Sequence, residues 1–266
     1  MDTPLLFTDE ELRRLLDEAV ARYNTPDFIP QDPVQFPRRF TDRRDIEIVS
    51  LLVSTIAWGN RRMICGSAER LLALMDGQPY EYMMEEGYED LPGRQNIHRT
   101  FFSDNLRHYL RGLRRIYLRD GSLEGLAARL RPAAGPWEGA AWELATAINR
   151  EIAAANCGVC DSRCLPVRSD TSALKRFNMA LRWLVRRDGI VDMGVWDALR
   201  PSELYIPLDV HVADVSRALG LTSRRANDRR TVEEITARLR RFRPDDPVLY
   251  DFAIFSIGID NAFSNC

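Results

Sequence analysis

Three features of this sequence predict an all-α fold. Apolar residues recur at helical spacing in one segment after another, strand-like alternation is nearly absent, and no internal repeat or low-complexity tract interrupts the pattern. At 266 residues, 45% hydrophobic and 29% charged, the chain is long enough for one large core or two modest ones.

A first helix is expected after Thr8, which is placed to cap LRRLLDEAVARY with Glu11 in the capping-box position. The proline-rich run NTPDFIPQDPVQFP at 24–37 ends it and reads as an ordered, extended connection. Residues 45–57, DIEIVSLLVSTIA, are apolar almost all round, and a helix without a polar face belongs in the interior. It closes at Trp58-Gly59-Asn60. Amphipathic helices are expected near 61–76, 79–86, 103–119, 122–130 and 137–155, followed by a loop from Asn156 to Thr171 rich in Cys, Gly, Pro, Ser and Asp. A strongly apolar helix then spans about Ser172 to Arg187. The remainder reads as a short helix near 194–199, an extended LYIPL at 204–208, a helix at 210–219 stopped by Gly220, and closing helices at 231–241 and 246–258.

Composition narrows the function. No apolar run reaches membrane-spanning length, and the acidic opening MDTPLLFTDEELRRLL resembles neither a signal nor a transit peptide, so a cytoplasmic protein without a membrane partner is expected. The formal net charge of −2 leaves no global basic field for nucleic acid. Arginine nevertheless clusters, and in the window 168–187 Arg168, Lys175, Arg176, Arg182, Arg186 and Arg187 face only Asp170, a local positive excess, although each cluster taken alone reads as a solvated helix face. Five cysteines, an odd number, argue against a disulfide framework. Cys157, Cys160 and Cys164 are candidate ligands for zinc or an iron–sulfur cluster, with Cys65 or Cys266 as a fourth, although their spacing is not a standard one and no cofactor is required by the rest of the sequence.

Among the 37 basic residues Lys175 is the single lysine. Arginine stays protonated, whereas a lysine amine in its neutral form is a nucleophile that makes Schiff bases with carbonyl carbons. In YIPLDVHVADVSRALGL at 205–221, Asp209 stands where an extended stretch meets a helix. A carboxylate there satisfies free N–H groups and meets the positive end of the dipole. An amine nucleophile and a fixed anion facing each other are the equipment for displacing a base from a deoxynucleotide.

IPLDVHV followed by RALGL resembles the (V/L)D(T/V)H(V/I)…R(L/A)GL signature of the helix-hairpin-helix DNA glycosylases, and KRFNMALRW is similar to the K-x-A-x-x-F-L-R-N run of their 8-oxoguanine branches. On this resemblance Lys175 is the Schiff-base lysine and Asp209 the catalytic aspartate. Their 34-residue separation is closest to the archaeal 8-oxoguanine enzymes. EIVSLLVSTIAWGNRR resembles the early helix whose following turn lines the base pocket, which implies pocket or gap-filling roles for Trp58 and Asn60 beside Arg61. Arg176 and Arg182 are expected to tune the amine or contact phosphate, and His211 to face its helix as a polar residue. The combination DIEI…AWGNR, KRxNMxLRW and IPLDxHV also resembles a bacterial family of unknown function.

One departure stands out. The glycine-rich hairpin that precedes the lysine in those enzymes is here RSDTSALK, without glycine, leaving the amides of Thr171 to Ala173 as the expected anion site. A register shifted by one turn would set Asn178 in place of Lys175 and leave a base binder without lyase chemistry. The resemblance implies a two-lobed arrangement, a helical barrel at 45–187 with the degenerate hairpin and a second lobe from 1–44 and 188–266, around a cleft. It further implies a monomeric glycosylase with AP lyase activity on damaged double-stranded DNA. The alternatives are a non-catalytic nucleic-acid-binding module and a lysine-dependent enzyme acting on a small carbonyl compound or nucleoside.

Overall fold

The apolar segment near residue 50 is helix α2 (Arg43–Thr55), and every residue from Ile46 to Thr55 is buried. The computed structural model describes the backbone of residues 7–264 and the side chains of 7–257. Asp42 caps α2 by accepting from the Arg44 amide at 2.8 Å. The apolar helix carrying the lysine is α8 (Lys175–Val185), and it packs along α2. Around this pair stand α3 (Arg61–Leu74), α4 (Pro79–Met84), α5 (Ser103–Asp120), α6 (Leu123–Leu130) and α7 (Ala140–Ala155). Helices α5 and α7 approach so closely that a Cβ on Gly112 would lie 2.7 Å from the Ile152 Cα.

The two ends of the chain meet. Helix α1 (Asp9–Tyr23), opened by the Thr8–Glu11 capping box, packs against α11 (Asp251–Ser264), which also packs against α9 (Val210–Ala218). Helix α10 (Arg229–Phe242) lies against the 3₁₀ turn Pro247–Tyr250 that leads into α11.

Among the described residues the architecture is all-α apart from one antiparallel ribbon, β1 (Asn96–His98) with β2 (Phe101–Phe102), which the sequence did not announce. Three other expectations are corrected. The proline-rich connection is not extended but folds into three 3₁₀ turns, Pro26–Gln31, Pro33–Gln35 and Pro37–Arg39, each opened by a proline whose fixed φ suits the first turn. No helix forms near 194–199. That backbone instead folds back onto the end of α8, with the Met193 amide donating to the Trp183 carbonyl at 2.9 Å and the Trp196 amide to the Leu184 carbonyl at 2.9 Å. Helix α8 begins at Lys175 rather than Ser172, because Ser172 is bridged to Asp228 and Leu174 takes a left-handed φ of 49°.

Glu47 ties this assembly together. From the middle of α2 its buried carboxylate accepts from Tyr117 Oη (2.6 Å), Trp196 Nε1 (2.7 Å) and the first two amides of α6, Leu123 (2.9 Å) and Glu124 (3.0 Å). Burial raises its pKa, while these four donors oppose the rise. Glu47→Ala strands all four donors and is expected to cost roughly 3 kcal/mol. Glu47→Gln, which keeps an acceptor oxygen, is expected to cost roughly 1 kcal/mol. Urea denaturation checks both, and equal losses would mean that the carboxylate charge, which both variants remove, sets the cost rather than the stranded donors or the lost volume.

Candidate active site

Four helices begin at one cavity. Arg61 and Lys175 are the first residues of α3 and α8, Asp251 is the first residue of α11, and Asp209 is the N-cap of α9; all four line a cleft of about 870 Å³. The first turns of four helices therefore border the same space.

The lysine and the aspartate face each other there. Lys175 Nζ lies 3.3 Å from Asp209 Oδ2, and each side chain is about one-third exposed. The other carboxylate oxygen, Oδ1, accepts from the Val212 amide at 2.8 Å and holds the group in place. On the lysine side the mount is equally defined. Leu174 is buried at 3% exposure in its left-handed turn, and its carbonyl accepts from the Asn178 amide at 2.8 Å. The preceding loop is anchored from outside, since the Ser172 carbonyl accepts from Trp142 Nε1 at 2.8 Å and the Thr171 carbonyl from the Arg229 amide at 3.0 Å.

Aromatic rings form much of the wall: Phe28, Trp58, Phe177, Phe252 and Phe255. Gly59, with φ of +104°, makes the turn that puts Trp58 on this wall, and a Cβ there would also lie 2.8 Å from the Arg99 guanidinium. Trp58 stands edge-on to His98 and carries Arg176 over its face at 5.1 Å.

Two carboxylates of the cavity went unread in the sequence. Asp32 enters from the proline-rich segment and Asp251 from the start of α11, both strongly buried. No local motif marks either residue, and each arrives by tertiary packing. Burial raises the Asp32 pKa. Burial, with Asp209 nearby, pushes Asp251 up to about 6 against the pull of Arg182.

Several predicted roles change. Arg182 is no free phosphate contact: it is buried, ion-paired with Asp192 at 3.2 Å and with Asp251, and stacked on Phe252. Arg176 is held by the Thr55 carbonyl at 2.5 Å. Arg186 is buried among Asp188, Asp192 and Asp246, and Arg187 pairs with Asp197, so the expected positive patch is largely neutralised within the fold. Asn60 is an exposed helix cap, accepting from the Met63 amide at 2.8 Å, and does not line the cavity. Asn178 is buried at 1%, donates to the Ala173 carbonyl at 3.1 Å and also lies off the wall. His211 lies off the wall too, its Nε2 3.3 Å from the Phe255 carbonyl. Arg61 does line the cavity, between Phe28 and Phe255. The amides of Thr171 to Ala173 precede α8, so its free N–H groups start at Lys175 instead.

The cysteines do not converge. Cys157 and Cys160 are exposed, Cys164 is buried with Sγ 3.3 Å from the Asn105 carbonyl, and Cys65 lies 3.8 Å from Gln35 Nε2. Cys266 is outside the described residues. Among those described, no group of three or more His, Cys, Asp or Glu is arranged to hold a metal ion.

The model of the family described as Protein of unknown function (DUF2400) matches residues 32–260. This chain belongs to that family. The matched span takes in every charged residue of the DUF2400 cavity, from Asp32 to Asp251. No curated protein and no solved structure matches the chain.

Asp251 gives the fold a pH dependence of defined sign. Its carboxyl titrates near 6 when folded against an ordinary 3.8, so between those values the folded state binds more protons and stability falls as pH rises. Relative to Asp251→Asn, the wild type is expected to lose up to about 3 kcal/mol between about pH 4 and 6. Urea titrations at each pH measure it, and parallel profiles for the two proteins would show that Asp251 ionises as an ordinary aspartate.

Proposed function

We propose that this protein is a DNA glycosylase with AP lyase activity, releasing a damaged base, oxidised purines foremost, through a Schiff base on Lys175. The observation that carries the assignment is the 3.3 Å approach of Lys175 Nζ to Asp209 Oδ2 on the wall of a cavity of about 870 Å³. Such a volume accepts a flipped nucleoside, and the aromatic wall suits the faces of a base. The exclusion of Asn178 from that wall favours the register in which Lys175 is the nucleophile.

Asp209 is placed to stabilise positive charge as it develops at the sugar. The neutral amine attacks C1′, the C1′–N bond breaks with its electron pair leaving on the base, and the proton shed by the amine passes to Asp209. Ring opening then gives the imine from which strand cleavage follows. For the polyanionic partner, the four helix N-termini favour phosphate, and exposed Arg163 lines the cavity without a carboxylate partner among the described residues. Arg99, against Gly59 on the same wall, is likewise unpaired among the described residues.

The two-lobed arrangement belongs to the same proposal. Packing of α2 on α8 and α5 on α7 supports a lobe at 45–187, and the meeting of α1, α9 and α11 supports a second lobe from 1–44 and 188–266. No helix of the described residues is long and apolar enough to cross a membrane.

A second reading, a lysine-dependent enzyme on a nucleoside or small carbonyl compound, is favoured by the internal pairing of Arg182, Arg186 and Arg187. It predicts no salt-sensitive DNA binding.

Borohydride trapping on duplexes carrying 8-oxoguanine, uracil, an oxidised pyrimidine or an abasic site is expected to give a covalent adduct with wild type and none with Lys175→Gln. Asp209→Asn, which can still cap α9, is expected to slow base release by about 10²–10³-fold. An adduct that survives in Lys175→Gln, or no adduct with any duplex, would sink the lyase assignment.

A further inference from the structure

The cavity holds a carboxyl group that the chemistry above leaves unused. Asp32 is 9% exposed and lines the same wall as Lys175. Its Oδ1 is fixed by the Val34 amide at 3.0 Å, but Oδ2 takes no hydrogen bond among the described residues. The nearest cation to Oδ2 is Arg61 Nη2 at 4.0 Å, beyond hydrogen-bonding reach, and 13% of the side chain is left exposed in a residue that lines the cavity. The three carboxylates are thus differently occupied: Asp209 holds Val212 with one oxygen and faces the amine with the other, Asp251 is ion-paired with Arg182, and Asp32 presents an anchored group with an open oxygen.

We propose that Asp32 is the general acid that gives the departing base its proton, an assignment that rests on the glycosylase reading above. As Nζ of Lys175 bonds to C1′ and the C1′–N bond breaks, the electron pair goes to the base nitrogen system. The proton on Asp32 Oδ2 neutralises the base. The carboxylate that remains is stabilised by Arg61, while the proton shed by the amine goes to Asp209, so charge and atoms balance. Arg61, Lys175 and Arg182 all pull Asp32 towards its ionised form, and Cys65 lies close by; burial outweighs their pull and holds the proton to higher pH than on a free aspartate. Two carboxyl groups on one wall, one buried and one facing the amine, are placed in the different surroundings by which paired carboxylates divide acid and base work.

The two half-reactions separate this role from a structural one. An abasic site has no base left to protonate, so Asp32→Asn, which keeps an acceptor for the Val34 amide, is expected to trap on an abasic-site duplex as wild type does. Under single-turnover conditions the same variant is expected to release base about 10²–10⁴-fold more slowly from duplexes carrying 8-oxoguanine, uracil or thymine glycol. Equal base release by variant and wild type would overturn the assignment. Loss of both reactions in the variant would also overturn it, by showing that Asp32 merely holds the site together. Wild type that traps the abasic duplex but releases none of the three bases would overturn it while leaving the lysine chemistry standing, and wild type inactive on every duplex would remove the glycosylase reading itself.

Discussion

Helix α8 is held by a buried ionic cluster at its far end, and the geometry of the cavity follows from that restraint. Arg182 and Arg186 are each at most 5% exposed, and between them they engage Asp188, Asp192, Asp246 and Asp251. Removing one member would strand charge in a dry interior, so the set is formed together or not at all. Because Asp251 opens α11 and Arg182 stands two turns beyond Lys175, the cluster fixes how the lysine helix sits against the C-terminal helix. Guanidinium suits this position where ammonium would not, since its planar fork can serve two carboxylates at once.

Much of the site could be read from the chain, for a physical reason. Thr8 with Glu11, Asp209 before its helix, and the all-apolar α2 are local signals, in which the residue and the structure it dictates lie within one turn. The pairing of Lys175 with Asp209 was accessible through the resemblance of KRFNMALRW and IPLDVHV to a glycosylase signature; of the two, only Asp209 stood at a helix start that the sequence located. Asp32, Asp251, Phe28 and Phe255 were not accessible. They come from a proline-rich segment and a closing helix that read as ordinary structure until the ends of the chain are brought together.

The arginine clusters failed as a guide for the converse reason. A run of positive charge predicts a field only when its counter-charges are absent, and here they sit far away in sequence. Arg111 pairs with Glu89, Arg115 and Arg119 with Glu151, and Arg131 with Glu203. The net effect is a surface knitted by ion pairs, most of them worth little individually. Exposed Arg163 lines the cavity without a carboxylate partner among the described residues. Asn60 and Asn178 lie off the cavity wall for a similar reason, because a side-chain amide is as readily consumed by a neighbouring backbone as offered to a ligand.

Leu174 carries a consequence for how the lysine moves. A branched, bulky residue in the left-handed region costs on the order of 1–2 kcal/mol, and glycine or asparagine would remove most of that cost. The leucine side chain is sunk in the core, so the turn cannot relax without withdrawing it. The amine that follows is therefore seated on a rigid pivot. Its reach into the cavity comes from rotation about its own side-chain bonds, and the backbone beneath it contributes stiffness in place of stroke.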